Sequence, residues 1–293
     1  SEQTALTRTA QGMERIRTML GQPIHINSGY RSPAVNAAVG SKPTSQHCKG
    51  EAVDFVEFYA GSACTFFELP NVTASGTGVV IVVSPWNFPI AIPCGGIAAA
   101  LAAGNTVVLK PASDAVLPAW ELCQCFWRGG VSKKTLQFVP CSGGNEGAQL
   151  VQHPLVTAVG FTGSLGGGRA LFDLCAKRPV PIPFFGELGS VNPVFLLPEA
   201  LAARGDAIAA GWAGSLTMGA GQFCTNPGLV FLPTSGGDAF LTKLKSLVEA
   251  GTPGMMLNAG ICKSFADSKS AVTSAPGVET LALSATEAAA GQG

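Results

Sequence analysis

One cysteine of this 293-residue chain stands apart from the other eight. Cys224 sits in Gly221-Gln222-Phe223-Cys224-Thr225-Asn226-Pro227-Gly228, a polar turn framed by glycine and proline rather than an apolar niche. A thiol is the best side-chain nucleophile near neutral pH, and it reacts as the thiolate. Upstream, Glu187 in Gly186-Glu187-Leu188-Gly189 is a single acid in the otherwise apolar stretch 183–197. Burial there would raise its pKa toward neutrality and make it a usable general base. Further back, Asn87 in Ser84-Pro85-Trp86-Asn87-Phe88-Pro89 offers an amide donor on a proline-framed backbone. Nucleophile, base and donor are the parts needed to attack a carbonyl and then release an acyl group. Each residue taken singly also has a plain structural role, as buried thiol, loop carboxylate or turn-forming amide. Only their company promotes them.

The elements that must hold these groups are legible as an alternation of strands and helices. Gly78 to Ser84 is a continuous β-branched run, as a buried parallel strand requires. Residues 90–103 read as a helix rich in small side chains, and 105–109 as the next strand. Helix over 120–127, strand over 136–140, short helix over 148–152 and strand over 156–161 follow, and Gly163-Ser164 opens a helix through Leu174. Beyond Leu188 come a strand at 194–196, a helix over 207–218, a strand at 229–231 and a helix over 239–250. Such alternation is the mark of βαβ units. The fold class expected is therefore α/β: a doubly wound, Rossmann-like parallel sheet followed by a second, incomplete α/β domain, with the boundary near Glu187. After Ser264 the sequence is rich in Ala, Ser and Thr, with weak periodicity.

Bulk composition narrows the function classes. The chain is 47% hydrophobic and only 12% charged, with 37 glycines, 20 prolines and a formal net charge of zero. No basic run argues for nucleic acid as a partner. The longest apolar segment, 90–103, contains Pro93 and two glycines and falls short of a membrane span. Residues 1–20 lack the apolar core of a signal peptide. Nine cysteines, an odd number without a Cys-x-x-Cys pair, read as free thiols in a reducing compartment, hence a cytoplasmic expectation.

From about Leu69 to about Ile261, these motifs in this order resemble the aldehyde dehydrogenase superfamily. The resemblance implies that Cys224 attacks an aldehyde while Asn87 and the Cys224 N–H receive the oxyanion. It further implies that Glu187 activates the water that hydrolyses the resulting thioester. It implies NADP or NAD as cofactor, bound by Pro85, Trp86, Lys110, Ser113, Gly163 and Ser164. Lys110 ends a strand where its ammonium would reach ribose hydroxyls, and Gly163-Ser164 precedes a helix whose first N–H groups would hold the pyrophosphate. The family often has Glu where this chain has Ser113; losing that carboxylate removes a repulsion toward a 2′-phosphate and admits NADP. Within the family, Phe184 to Pro193 looks like the α-ketoglutarate-semialdehyde (2,5-dioxopentanoate) dehydrogenases. Ser75 to Ser113 and Leu136 to Cys141 are more similar to the glutamate-γ-semialdehyde dehydrogenases. Both imply a five-carbon ω-semialdehyde acid as the small-molecule substrate. The family is usually homo-oligomeric, but its oligomerisation strand has no counterpart here, nor does its later Glu-x-Phe-Gly-Pro segment.

Residues 1–57 read differently. Ser28-Gly29-Tyr30-Arg31-Ser32-Pro33 and Ser45 to Phe55 resemble the M15 zinc peptidases, in which His47 and Asp54 match two of three zinc ligands. No later histidine fits the third, and zinc catalysis wants three protein ligands and an open position. The expected division is thus a partial peptidase-like segment (1–57), a dinucleotide-binding domain (61–187) and an incomplete catalytic domain (188–293). Two alternatives to an aldehyde dehydrogenase stand beside it: a zinc-dependent cell-wall peptidase, and a catalytically inactive fragment or chimaera.

Overall fold

The computed structural model describes residues 51–293, with side chains from Val56 onward. His47 lies outside the described residues, and Asp54 is described only as backbone. The first described element is α1 (Glu51–Phe67). It runs without interruption through residues 57–61, where the sequence suggested a change of character.

Val79–Val83 forms β1, a run of β-branched residues that favours the pleated strand and fills both faces of a covered sheet. Thr106–Lys110 is β2, Leu136–Phe138 β3, Val156–Gly163 β4 and Phe184–Leu188 β5. They pair in the order β3-β2-β1-β4-β5, every neighbour parallel. The reversal of direction at β1 is the doubly wound arrangement, and it places a crevice at the carboxyl ends of β1 and β4. β5 was not separated from its apolar surroundings in the sequence, since Phe-Phe-Gly-Glu-Leu carries neither alternation nor a β-branched run. It is recruited by its hydrogen bonds to β4.

Helices cover both faces. On one, Val82, Val107, Leu109 and Leu136 pack against α2 (Ala91–Ala102) and α3 (Val116–Arg128) through Ile97, Ala119 and Leu122. On the other, Ile81, Val159 and Phe161 meet Val151 of α4 (Asn145–Gln152) and Leu171 of α5 (Leu165–Ala176). The alternation of Val82 and Ile81 between the two cores is the period of two that a strand imposes. Arg178, just past α5, donates to the carbonyls of Val151 (2.6 Å), His153 (3.0 Å) and Val156 (3.0 Å), holding the turn that leads from α4 into β4.

The chain divides into two compact units, after Leu188. In the second, β6 (Pro193–Phe195) and β7 (Leu229–Phe231) form a two-stranded parallel sheet. Val230 and Leu196 pack with α6 (Pro198–Thr217) and α7 (Asp238–Glu249) around Leu201, Ala209 and Phe240. α6 begins well before the expected Ala207 because Pro198 occupies its first turn, where a missing N–H costs nothing. Non-helical dihedrals at Arg204, ahead of Gly205, divide it, and only the portion beyond that kink has a clear helical pattern in the sequence. α8 (Ala259–Thr273) begins ahead of the weakly periodic tail and runs into it, capped by Asn258, whose side chain accepts from the Ile261 N–H at 2.9 Å. Among the described residues no helix is long and apolar enough to cross a membrane.

Replacing Arg178 with alanine leaves the carbonyls it holds without that donor. The expected cost is roughly 2 kcal/mol, as for a charge-assisted hydrogen-bond cluster. Arg169→Ala, which removes an exposed pair with Asp173 (2.9 Å) and a cation–π contact with Phe172 (5.2 Å), should stay within about 1 kcal/mol. Urea unfolding of the two variants checks both values.

Candidate active site

Parallel pairing brings several of the sequence-predicted residues to one edge of the first unit. Val83 is level with Lys110 on one side and Phe161 on the other, and Thr162 is level with Glu187. Pro85, Trp86 and Asn87 follow β1, and Ser113 follows β2, so all leave the sheet at its carboxyl edge. Pro85 is buried, Trp86 and Asn87 are half-buried, and Ser113 is exposed. Cys224 belongs to the second unit.

The carboxyl edge has the chemistry of an anion and hydroxyl cradle. Lys110 is buried, and its Nζ donates to the Pro111 carbonyl at 2.8 Å. An ammonium has three donors, so one such bond leaves capacity for a ligand. Beside it, the Ser84 N–H donates to the Lys110 carbonyl at 3.2 Å, while the buried Ser84 Oγ has no hydrogen-bond partner among the described residues. Ser164 is the N-cap of α5, its Oγ accepting from Gly167 N–H at 3.2 Å. The first N–H groups of α5 thus point out of the helix beside Gly163. A side chain at Gly166 would meet nothing within 4 Å, whereas one at Gly168 would strike Leu188 at 1.5 Å. One glycine leaves open space near the helix start; the other lets α5 pack against β5. A buried cation, an orphaned hydroxyl and an open helix start fit a dinucleotide.

Glu187 departs from expectation. It is exposed, not buried. β5 is the outermost strand of the sheet, so the apolar residues around Glu187 in sequence do not enclose it in space. Glu187 and Thr162 stand at one end of an apolar trough of about 750 Å³, lined by Val80, Val82, Gly96, Ala158 and Phe185 among others.

Cys224 is half-buried and free, in a turn after β6 and α6. Its carbonyl accepts from Asn192 Nδ2 at 2.7 Å and from the Ser190 hydroxyl. Asn192 Nδ2 also reaches the Asn226 carbonyl (2.8 Å), and Asn226 Nδ2 reaches the Leu216 carbonyl (2.8 Å). Gln222 completes the frame by accepting from Leu257 N–H at 3.0 Å. Three consecutive left-handed residues, Gly219, Ala220 and Gly221, turn the chain out of α6 toward the cysteine. Ser190, Asn192 and Asn226 were missed as contributors. The available signal was the density of short polar side chains just before Pro193 and before Pro227; the pairing of Ser190 and Asn192 with the Cys224 turn, across more than thirty residues, is tertiary.

Among the described residues no group of three His, Cys, Asp or Glu side chains is arranged to hold a metal. His47, one half of the peptidase-like pair, lies outside them.

Two other thiols are closed off in the core. Burial, reinforced by Cys125 nearby, pushes the Cys94 thiol from 9.0 up to about 12, and burial pushes Cys123 up to about 12 as well. A carbamidomethylating reagent at pH 8 should therefore modify Cys224 and leave Cys94 and Cys123 untouched, as peptide mapping will record. The same shifts fix a pH dependence. These thiols ionise at lower pH in the unfolded chain, so their contribution to stability is complete below pH 9 and lost as pH rises toward 12. Cys94→Ala should weaken that alkaline loss, seen in melting temperatures measured across the range.

Comparison with known proteins bears on the family of the chain. The family model described as the aldehyde dehydrogenase family matches residues 6–261, a span that includes most of the segment with peptidase-like motifs. The chain is 42% identical over 214 residues to an α-ketoglutaric semialdehyde dehydrogenase of Acinetobacter baylyi, covering 71% of this chain and 40% of the relative. It is 44% identical over 215 residues to α-ketoglutaric semialdehyde dehydrogenase 2 of Azospirillum brasilense, covering 70% and 41%. The chain thus spans about two fifths of the length of these relatives. Among solved structures, a 1-pyrroline-5-carboxylate dehydrogenase variant of Thermus thermophilus superimposes with a TM-score of 0.62 at 29% identity, covering 68% of this chain and 41% of that one. Fold, motif order and family match converge: the chain belongs to the aldehyde dehydrogenase family.

Proposed function

We propose that this chain carries the NAD(P)-dependent oxidation of an aldehyde to a carboxylate, with Cys224 as nucleophile. The observation that carries the reading is the half-buried Cys224 in a turn whose backbone is fixed by Asn192 and Ser190, while Cys94 and Cys123 are closed off by burial. The thiolate attacks the aldehyde carbon, and charge develops on the oxygen. Asn87 and the Cys224 N–H donate to that oxygen, each such donor being worth about 3 kcal/mol in the barrier. Lys110, Ser113, Ser164 and the backbone at Pro85, Trp86 and Gly163 would hold the dinucleotide, which when bound would accept the hydride whose loss turns the thiohemiacetal into a thioester. Glu187 takes a proton from water, the water attacks the thioester, and the acid leaves with the thiol restored. Exposure of Glu187 leaves its carboxylate in contact with water, which a base for thioester hydrolysis requires.

The substrate we propose is a five-carbon ω-semialdehyde acid such as 2,5-dioxopentanoate. Support comes from the names borne by the two relatives at 42% and 44% identity. Ser113, in place of a carboxylate, leaves NADP admissible beside NAD.

Incubation with 2,5-dioxopentanoate and either dinucleotide should produce reduced cofactor. Cys224→Ala should abolish it and Cys94→Ala should not. Asn87→Ala should lower kcat about 100-fold. With Glu187→Gln, intact-mass measurement should find the acylated chain accumulating, because the thioester forms but is not hydrolysed. No turnover from either dinucleotide, together with stoichiometric zinc on the purified chain, would favour a peptidase built on His47 and Asp54 instead.

A further inference from the structure

We infer that Ser190 and Asn192 are positioning residues for the Cys224 thiol, clamping its peptide from the carbonyl side. The inference rests on the reading of Cys224 as nucleophile.

A peptide carbonyl has two lone pairs, and both at Cys224 are taken by side chains. Asn192 Nδ2 supplies one donor at 2.7 Å and the Ser190 hydroxyl the other. The second proton of the same amide goes to the Asn226 carbonyl at 2.8 Å, so one side chain spans the turn on both sides of Thr225. The backbone closes the loop: Gly228 N–H donates to the Val191 carbonyl at 2.8 Å, and Asn226 N–H to the Phe223 carbonyl at 3.1 Å. Asn192 itself adopts a left-handed conformation (φ 47°), which asparagine tolerates better than most residues.

Magnitudes separate positioning from stability. Ser190 and Asn192 are exposed, so water can replace their bonds and the net stability each adds is about 1 kcal/mol or less. Geometry is a different matter. Fixing the Cys224 carbonyl fixes the Cys224–Thr225 peptide plane and limits the directions open to the Cα–Cβ bond. It also ties the negative end of that carbonyl to donors and keeps it from turning toward the thiolate. A freed carbonyl would approach the sulfur and disfavour its ionised form. Small errors in the placement of a nucleophile are costly, so the clamp acts on rate far more than on folding.

The test is the pH dependence of Cys224 alkylation by iodoacetamide, read by peptide mapping with half-buried Cys262 as the reference in the same molecule. In the double variant Ser190→Ala/Asn192→Gly, glycine keeps the left-handed backbone while both donors are lost. The Cys224 profile should move to higher pH and its rate at pH 7.5 should fall about tenfold. The Cys262 profile should stay in place. In the oxidation assay kcat should drop by a similar factor with KM within about twofold. Ser190→Thr, which keeps the hydroxyl, should retain most of the rate that Ser190→Ala loses. If the double variant does not fold, the Ser190→Ala and Ser190→Thr pair decides alone. An unmoved Cys224 profile, or equal losses in the alanine and threonine variants, overturns the clamp. Full activity of Cys224→Ala would instead overturn the reading on which the clamp rests.

Discussion

Parallel pairing is the constraint on which the first unit depends. β1 is hydrogen-bonded in parallel to β2 on one side and β4 on the other, so all strands deliver their carboxyl ends to the same edge. No local preference of Asn87, Lys110 or Ser164 would gather them. Each is placed by the strand that precedes it, and the strands are held by cores on both faces. That explains why Ile81, Val159 and Leu109, which touch no ligand, are among the least exposed residues of the chain. A shift of β1 by one residue would exchange the faces of Val82 and Ile81 and move the crevice with them.

The second unit solves a different problem. A two-stranded parallel sheet is a weak platform, and the Cys224 turn is not built on strand register. It is built on side-chain amides and hydroxyls that act as substitute backbone donors, with Asn192 and Asn226 each bridging to distant carbonyls. Short polar side chains suit this work because they lose little conformational freedom and can mimic a peptide group.

This difference decides what could be read in advance. β1, β2 and β4 are β-branched runs bounded by turn residues, and their strand character follows from composition alone. The start of the helix at Gly163-Ser164 was equally legible, and α5 begins there. β5 was not, because Phe184–Leu188 is made a strand by its neighbour β4 rather than by its own pattern. The same oversight produced the wrong expectation for Glu187: apolar neighbours along the chain imply burial only when something covers the strand, and β5 lies at the edge. α1 was obscured because its residues coincide with a change in sequence character, and α8 because Ala, Ser, Lys and Asp give it almost no apolar stripe. Ser190 and Asn192 became visible only when the fold joined segments far apart in sequence.

Ala220 holds a positive φ of 57° between two glycines, a conformation costing an L-residue about 1 kcal/mol or more. Its methyl would lie only 2.6 Å from a Cβ added at Gly254. The two positions therefore share one small volume: a side chain at 254 requires the backbone to shift while residue 220 keeps its methyl, whereas glycine at 220 removes that contact and relieves the strained φ together.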